Sequence, residues 1–275
     1  MNVQEIEQTR AAWDAIAAGY DRFVTGTHMS LGEQALRKAG LQPGMRFLDV
    51  ACGSGAMSLP AARLGADVLA VDISAGMIER LVARARAEGH SEVAGRVMDG
   101  HALQLANDSF DVAGSQFGVM LFPDLPAGVS EMVRVTRRGG RVVIIAFGPP
   151  TTVEFFGFFL AALQAAVPGF SPPAGPPPLP FQLADPATFR RVLTEAGLSQ
   201  VSIATVAEQV TYDSGQHIWD WITHSNPIGA DLVADLTAER GSLVRSVLDG
   251  MLRERAGGEG PAVLSQQVHI GIGTK

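Results

Sequence analysis

An α/β fold, a mostly parallel sheet with helices on both faces, is predicted by three observations. Phe47 to Ala56, FLDVACGSGA, joins an apolar run carrying one acid to a set of small residues, and helical spacing follows from Met57 to Leu64. A second apolar run, Val68 to Val71, ends in Asp72, and a third apolar–acid pair stands at Val97-Met98-Asp99. Phe110-Asp111-Val112 then opens a fourth. Strand, turn and helix recurring in this order make right-handed βαβ units.

From the amino terminus, residues 4 to 23 place Ile6, Trp13, Ile16, Tyr20 and Phe23 at roughly helical spacing, with an interruption expected near Gly19. This helix is expected to lie over the ligand mouth. Gly26-Thr27-His28 reads as a turn, Leu31 to Ala39 as the next helix, stopped by Gly40, and Pro43-Gly44 as the turn into the first strand. Phe47, Leu48 and Val50 suit a buried strand, after which Ala51, Gly53, Ser54 and Gly55 let the backbone turn tightly and approach a ligand. The helix start beyond offers unpaired N–H groups and a partial positive charge. Asp72 closes the second strand, where a carboxylate can accept hydrogen bonds from both hydroxyls of a ribose. Ser74 is placed to cap a helix that buries Met77, Ile78, Leu81, Val82 and Ala85. Asp49, Asp72 and Asp99 thus end three strands at one edge of the sheet, pointing to a ligand with a ribose, an exocyclic amine and an ammonium group.

Asn107-Asp108-Ser109 is a turn before the fourth strand, and Ser115-Gln116-Phe117-Gly118 lies at that strand's end, where ligands bind in parallel sheets and backbone carbonyls can receive an ammonium. Val129 to Thr136 is a helix, ended by Gly139-Gly140, and Arg141 to Phe147 the fifth strand. Thr151–Ala184 departs from the repeating pattern. Phe155, Phe156, Phe158, Phe159, Leu160 and Leu163 leave hardly any polar face, so this helix packs on the domain, on a second copy, or over a hydrophobic acceptor. Six prolines from Pro172 to Pro180 make a stiff extended loop. Asp185-Pro186 starts a helix whose face uses Phe189, Val192, Leu193 and Ala196, closed by Gly197. Val201 to Tyr212 reads as the sixth strand, and Val268, Ile270 and Ile272 alternate in a last one. Between them Ser214 to Pro261 is helical, with Leu243, Val244, Val247, Leu248, Met251 and Leu252 in register.

The segment 47–146 resembles the class I S-adenosylmethionine-dependent methyltransferases, in the branch of the ubiquinone and menaquinone methyltransferases and many small-molecule methyltransferases. The resemblance rests on LDVACGSG, on AVDIS with Met77 beyond it, on MDGHALQLANDSFDVAGSQFGVMLFPD and on EMVRVTRRGGRVVI. It covers the middle third of the chain, with weaker echoes in WDAIAAGYDRF and LADPATFRRVLTEAGL. It implies a Rossmann-like seven-stranded sheet whose last strand is antiparallel, with helical lid insertions. It also implies S-adenosyl-L-methionine as cofactor and S-adenosyl-L-homocysteine as product. The cofactor set it suggests is Tyr20, Asp49, Ala51, Gly53, Gly55, Asp72, Ile73, Met77, Asp99, Gly100, His101, Ser115 and Gln116. In the resembling family the aromatic–acid pair at Tyr20-Asp21 helps to close the methionine end, and Met77 touches ribose or adenine. Ala51 stands where a glycine is commoner, so that position is expected to keep φ negative. Gly100-His101 replaces the more frequent alanine plus polar residue, which alters the fit around adenine.

At 275 residues and 47% hydrophobic, the chain holds one three-layer core with insertions. A single domain is expected, with core 40–150, 185–212 and 262–275 and lid elements 1–30, 151–184 and 214–261. The formal charge is −7 and lysine occurs only at Lys38 and Lys275, which argues against a phosphate-tracking nucleic-acid surface. MNVQEIEQTR lacks the apolar core of a signal peptide, and no uncharged run of membrane-spanning length occurs, so a soluble cytoplasmic protein, monomer or homodimer, is expected. The lone Cys52 makes neither an intramolecular disulfide nor a metal site.

Methyl transfer from a sulfonium is an in-line displacement in which alignment and exclusion of water carry much of the rate. A hydroxyl acceptor adds the need for a base. Among six histidines, His90 is expected at the surface, His269 on the last strand away from the mouth, and His101 beside adenine. His28, His217 and His224 remain. His28 and His224 are the candidate bases, the latter because Trp219 and Trp221 beside it could stack on a planar substrate. The expected acceptor is a small, largely apolar molecule methylated on O or C rather than N. Two other classes compete: a non-catalytic cofactor-binding or partner protein, and a nicotinamide-dependent oxidoreductase. Against the latter, the third small position of GxGxxG falls on Ser58, and no Tyr-x-x-x-Lys pair exists.

Overall fold

Seven strands pair into one sheet in the computed structural model, which describes residues 3–171, 178–225 and 227–275. They are β1 (Arg46–Val50), β2 (Asp67–Asp72), β3 (Ala94–Val97), β4 (Phe110–Gln116), β5 (Thr136–Phe147), β6 (Ser199–Tyr212) and β7 (Ala262–Thr274), in the spatial order β3-β2-β1-β4-β5-β7-β6. Strands β1 to β5 pair in parallel, while β7 runs antiparallel between β5 and β6. The strand order reverses between β1 and β4. At such a switch point the loops after the two strands part and leave a crevice.

The central strands carry β-branched and aliphatic runs because both faces are covered. Phe47, Leu48 and Val50 of β1, Ala70 and Val71 of β2, and Val142 to Ala146 of β5 are all buried completely. The helices are α1 (Val3–Tyr20), α2 (Gly26–Lys38), α3 (Ser58–Arg63), α4 (Ala75–Ala87), α5 (Leu125–Val135), α6 (Glu154–Ala166), α7 (Pro186–Glu195), α8 (Gly215–Ser225), α9 (Pro227–Asp231) and α10 (Ala238–Ala256). Ser74 and Asp185 cap their helices as the sequence suggests, and Asp124 and Thr237 do the same without having been foreseen. Ser74, Asp124, Asp185 and Thr237 each accept a backbone N–H from the first turn, and Gly257 ends α10 at φ 73°.

Several expectations are corrected. The amino-terminal helix is not interrupted at Gly19, and Gly26-Thr27-His28 is no turn. Instead α1 passes through a π-helical turn, Asp21–Thr25, straight into α2, so His28 is helical. The wider turn is held by side chains: Arg84 donates to the Asp21 carboxylate at 2.6 Å and to its carbonyl at 3.0 Å, and Thr25 shares a hydrogen bond with Ser54. Gly19 serves packing, since a Cβ there would lie 1.9 Å from Cδ2 of His224 on α8.

Gly139-Gly140 does not separate helix from strand. β5 begins at Thr136 directly after α5 and bulges, with Thr136 opposite Phe110 and Arg141 opposite Val112, and Gly139 at φ 75°. Val268, Ile270 and Ile272 do not alternate in burial with their neighbours, because every residue from Val268 to Gly273 is buried. Leu243 is 45% exposed, off the buried face of α10 that uses Val244, Leu248 and Leu252. The proline loop falls at 172–177 outside the described residues; Pro178 precedes a short 3₁₀ turn, Leu179–Phe181, that contains Pro180. No helix of the described residues is long and apolar enough to cross a membrane.

Candidate cofactor and acceptor site

The turn after β1 is stapled to the tip of β2 by one carboxylate. Gly53 N–H donates to Asp72 Oδ2 and Ser74 N–H to Asp72 Oδ1, both at 2.9 Å, and Cys52 N–H donates to the Val71 carbonyl at 3.1 Å. Asp72 is 7% exposed, and burial pushes its pKa up to about 6 despite these donors. Gly53 sits at φ 53°, and a Cβ there would meet the Tyr20 ring at 3.0 Å, so only glycine lets that ring close over the turn. Ala51, against expectation, is also left-handed, at φ 53°. Its methyl occupies the space that a Cβ on Gly118 would need, at 2.6 Å.

A first cavity of about 80 Å³ opens at these strand ends. Thr9, Trp13 and Tyr20 close it from α1, and Met77 from α4. The roof is tied down: Asp14 accepts from Ser74 Oγ at 2.5 Å and from Gly76 N–H at 2.9 Å, at the start of α4 where a negative charge is favoured. At the far end Asp99 holds His101, accepting its N–H at 2.9 Å and contacting Nδ1 at 2.8 Å. The His101 ring stacks on Phe122, with centroids 4.3 Å apart and planes at 27°. Gly100 leaves room for Phe122, whose Cζ would lie 2.5 Å from a Cβ. His101 Nε2 and Gln116 Oε1 are buried and have no hydrogen-bond partner among the described residues, so the wall carries unspent polar capacity. A nucleoside between acid-tipped strands, with an aromatic pair at the base end, fits this wall.

Of the expected cofactor set, Tyr20, Ala51, Gly53, Asp72, Ile73, Met77, Asp99, Gly100, His101 and Gln116 line the cavity. Asp49, Gly55 and Ser115 do not, each for a physical reason. Asp49 lies within β1 rather than at its tip, 1% exposed, and its Oδ2 accepts the Ser58 hydroxyl at 2.6 Å at the start of α3. Burial pushes its pKa up to about 7, and its Oδ1 has no partner among the described residues. Gly55 makes space for Leu81, whose Cδ1 would be 2.4 Å from a Cβ. Ser115 turns its hydroxyl to the Val119 N–H at 2.9 Å. Asp99 lies past the end of β3 rather than on it.

A second cavity of about 280 Å³ adjoins the first; Trp13, Tyr20, Phe117 and Leu121 line both. Its walls are apolar and aromatic, with Phe147, Phe155, Phe156, Phe181 and Trp221 prominent. The Phe-rich helix α6 therefore covers a cavity of its own chain. Phe117 is held at φ 54° and stacks on Phe147, centroids 4.5 Å apart. His28 lines this cavity, 2% exposed, with its ring 4.8 Å from Phe117 and 5.8 Å from Trp221. Its Nδ1 is 3.1 Å from Glu208 Oε1.

The other base candidate is placed elsewhere. His224 lines neither cavity; it packs on Phe23 at 5.4 Å, and its Nδ1 bonds the Asp220 carbonyl at 2.6 Å. Trp219 turns to Phe159 and Arg245, leaving Trp221 alone of that pair on the cavity. His217 sits against Tyr212, and His269 bonds Thr205 and the Ala184 carbonyl inside the sheet. Sequence reasoning missed Glu208 as a partner for His28. The only signal was an acid in the apolar stretch of β6, and the two residues are 180 positions apart.

Residues 48–144 match the family described as Methyltransferase domain. An uncharacterised protein of Mycobacterium tuberculosis strain H37Rv is 40% identical over 141 residues, 51% of this chain and 50% of its own length. The demethylmenaquinone methyltransferase of Renibacterium salmoninarum is 34% identical over 171 residues, 60% of this chain and 69% of that enzyme. The chain thus spans about half the length of the mycobacterial relative and rather more of the enzyme. Among solved structures, the YcgJ protein of Bacillus subtilis superposes with a TM-score of 0.56 at 18% identity, covering 90% of this chain and 98% of that one.

Proposed function

The chain belongs to the S-adenosylmethionine-dependent methyltransferases, and from that premise we propose that it methylates a flat, largely apolar small molecule at a hydroxyl or at a carbon activated by one. The observation that carries this reading is the shared wall: an apolar cavity meets the cofactor cavity at Tyr20, Phe117 and Leu121, with His28 as the one titratable side chain other than Tyr20 among the described residues that line it. Burial and the nearby carboxylates Asp72 and Asp49 push the Tyr20 phenol above its ordinary value, which suits it to close the site rather than to take a proton.

S-adenosylmethionine supplies a methyl group on a positively charged sulfur. Asp72 would receive the ribose, His101 and Phe122 would flank the base, and Asp99 would accept from an exocyclic amine, a reading supported by their shared lining of the first cavity. Asp49, Asp72 and the carbonyls at the end of β4 favour the positive end. Tyr20 and Trp13 exclude water from the junction. In the second cavity the aromatic walls orient a planar acceptor, and His28 removes the hydroxyl proton as the oxygen becomes nucleophilic, a contribution of about 10² to 10⁴ in rate. O- or C-methylation is preferred over N-methylation because His28, which lines that cavity, is a base that a hydroxyl acceptor needs and a neutral amine does not. A cytoplasmic site of action, one domain with α1, α6 and α8 to α10 as its lid, and a monomer or homodimer complete the reading.

Transfer of labelled methyl into a panel of phenols, naphthols, quinols and aliphatic or aromatic amines tests it. Incorporation into hydroxylated acceptors that falls about a hundredfold or more in His28→Gln, with His224→Ala unchanged, is expected. Transfer only into amines contradicts the acceptor class, and full activity of His28→Gln contradicts the base.

A further inference from the structure

His28 is one member of a chain of side chains that runs from α2 to β6 and β7. Glu208 on β6 and Gln266 on β7 are register partners in the antiparallel pair. Glu208 Oε1 lies 3.1 Å from His28 Nδ1, and Oε2 accepts a hydrogen bond from Gln266 Nε2. The side chains of His28 and Glu208 are 3% and 9% exposed, and Gln266 is 1% exposed. From the other side, Gln116 Nε2 donates to the His28 carbonyl at 2.9 Å, fixing the helix turn that carries the imidazole. A surface histidine needs none of this.

A carboxylate can only accept, so the contact with Glu208 requires the His28 proton to sit on Nδ1. The lone pair of the neutral ring is then on Nε2, which has no partner among the described residues, and the ring lines the acceptor cavity. We infer that Glu208 is a positioning residue. It holds His28 in the Nδ1–H tautomer with Nε2 turned to the acceptor, and it faces the imidazolium formed when the proton arrives. The role rests on the hydroxyl-methylation reading above. In the balanced step the acceptor oxygen gives its proton to Nε2 and forms a bond to the methyl carbon. The carbon–sulfur bond breaks with its electron pair going to sulfur, and the imidazolium, paired with Glu208, later releases its proton to water.

This constellation also narrows the acceptor. The Phe117 and Trp221 rings both pack beside the His28 ring, at 4.8 and 5.8 Å, which favours a hydroxyl carried on the edge of a flat ring system.

The test uses the full chain with ¹⁵N-labelled histidine, and His28→Gln identifies the His28 signals in a long-range ¹H–¹⁵N correlation. The wild type is expected to show the Nδ1–H pattern for His28, and Glu208→Leu to lose it in favour of Nε2–H or a mixture. An Nε2–H pattern in the wild type overturns the inference, and that spectrum decides the point even if the variant does not fold. An unchanged pattern in a folded Glu208→Leu, with folding checked by S-adenosylhomocysteine binding, overturns it too. In the same preparations, labelled methyl transfer into 2-naphthol and 1,4-dihydroxynaphthalene is expected to lose about tenfold or more in kcat in Glu208→Gln with KM little changed, and Glu208→Asp to recover part of the loss. Equal kcat in wild type and Glu208→Gln overturns the positioning role and leaves the methyl-transfer reading intact. Transfer by the wild type to neither probe, nor to any other hydroxylated acceptor, counts against that reading instead, and is told apart because the tautomer spectrum does not depend on it.

Discussion

At the scale of single residues, the turn after β1 carries a cost that a sequence pattern does not display. Ala51 is held at φ 53°, where an L-residue with a Cβ is about 1 to 2 kcal/mol worse off than glycine. Ala51→Gly is therefore expected to raise stability by about 1 kcal/mol in denaturant unfolding, partly offset by the space its methyl leaves beside Gly118. A loss of several kcal/mol would show that the methyl contact outweighs the strain. Gly53 has the opposite constraint, since a Cβ there meets both a left-handed φ and the Tyr20 ring.

The two buried acids make a second residue-scale prediction. Burial lifts the folded-state pKa of Asp49 to about 7 and that of Asp72 to about 6, above the ordinary value of 3.8. For a raised carboxylate the folded form holds a proton that the unfolded chain has released. The stabilisation is complete below the ordinary value and disappears as pH rises through about 7 for Asp49. In the cofactor-free protein, the melting temperature of Asp49→Asn relative to wild type is expected to increase between pH 5 and pH 8. Ionisation is also what attracts a cation. The affinity for S-adenosylmethionine relative to S-adenosylhomocysteine, which lacks the sulfonium charge, is expected to grow over the same interval, and to grow less in Asp49→Asn. Calorimetric titration of both ligands at the two pH values measures this.

At the scale of elements, α1 and the π turn place Tyr20. The anchors are Asp14 on the start of α4, Arg84 on Asp21 and Thr25 on Ser54, and the fit of α1 against α8 depends on Gly19. Gly19→Ala drives a methyl into His224 and is expected to lower cofactor affinity as well as thermal stability. Tyr20→Ala is expected to weaken cofactor binding while leaving the fold, since the ring covers the turn rather than filling the core. Affinity unchanged in both variants would remove α1 from the site. The helical spacing of Trp13, Ile16 and Tyr20 made this element legible in the sequence. The π turn was not, because what holds it is Arg84 and Ser54, far along the chain. The glycine pair at 139–140 misled for a related reason: it looks like a helix stop, and only pairing with β4 and the carboxyl-terminal residue reveals a bulge.

At the scale of the whole molecule, the repeated strand–turn–helix pattern made legible the sheet and the edge at which the first cavity opens, since those are local and periodic signals. Asp72 and Asp99 were legible because each follows an apolar run. Asp49 shares that local signature yet faces Ser58, a difference of side-chain direction within β1 that spacing cannot convey. The second cavity was the least legible part. Its walls come from α1, α2, the segment after β4, β5, α6, α8 and α9, and the pairing of His28 with Glu208 exists only once the antiparallel β6 and β7 are laid beside the parallel strands. A histidine and an acid in separate apolar stretches carry no mutual signal until then.

The central claim is that the Asp72-tipped edge of the sheet holds an adenosyl group beside an apolar chamber. Calorimetric titration of S-adenosylmethionine into the wild type and into Asp72→Asn addresses it most directly. Saturable one-to-one binding by the wild type, weakened about tenfold to a hundredfold when the carboxylate is lost, is the result the geometry predicts. Absence of binding by the folded wild type, or equal affinity in both proteins, would contradict it.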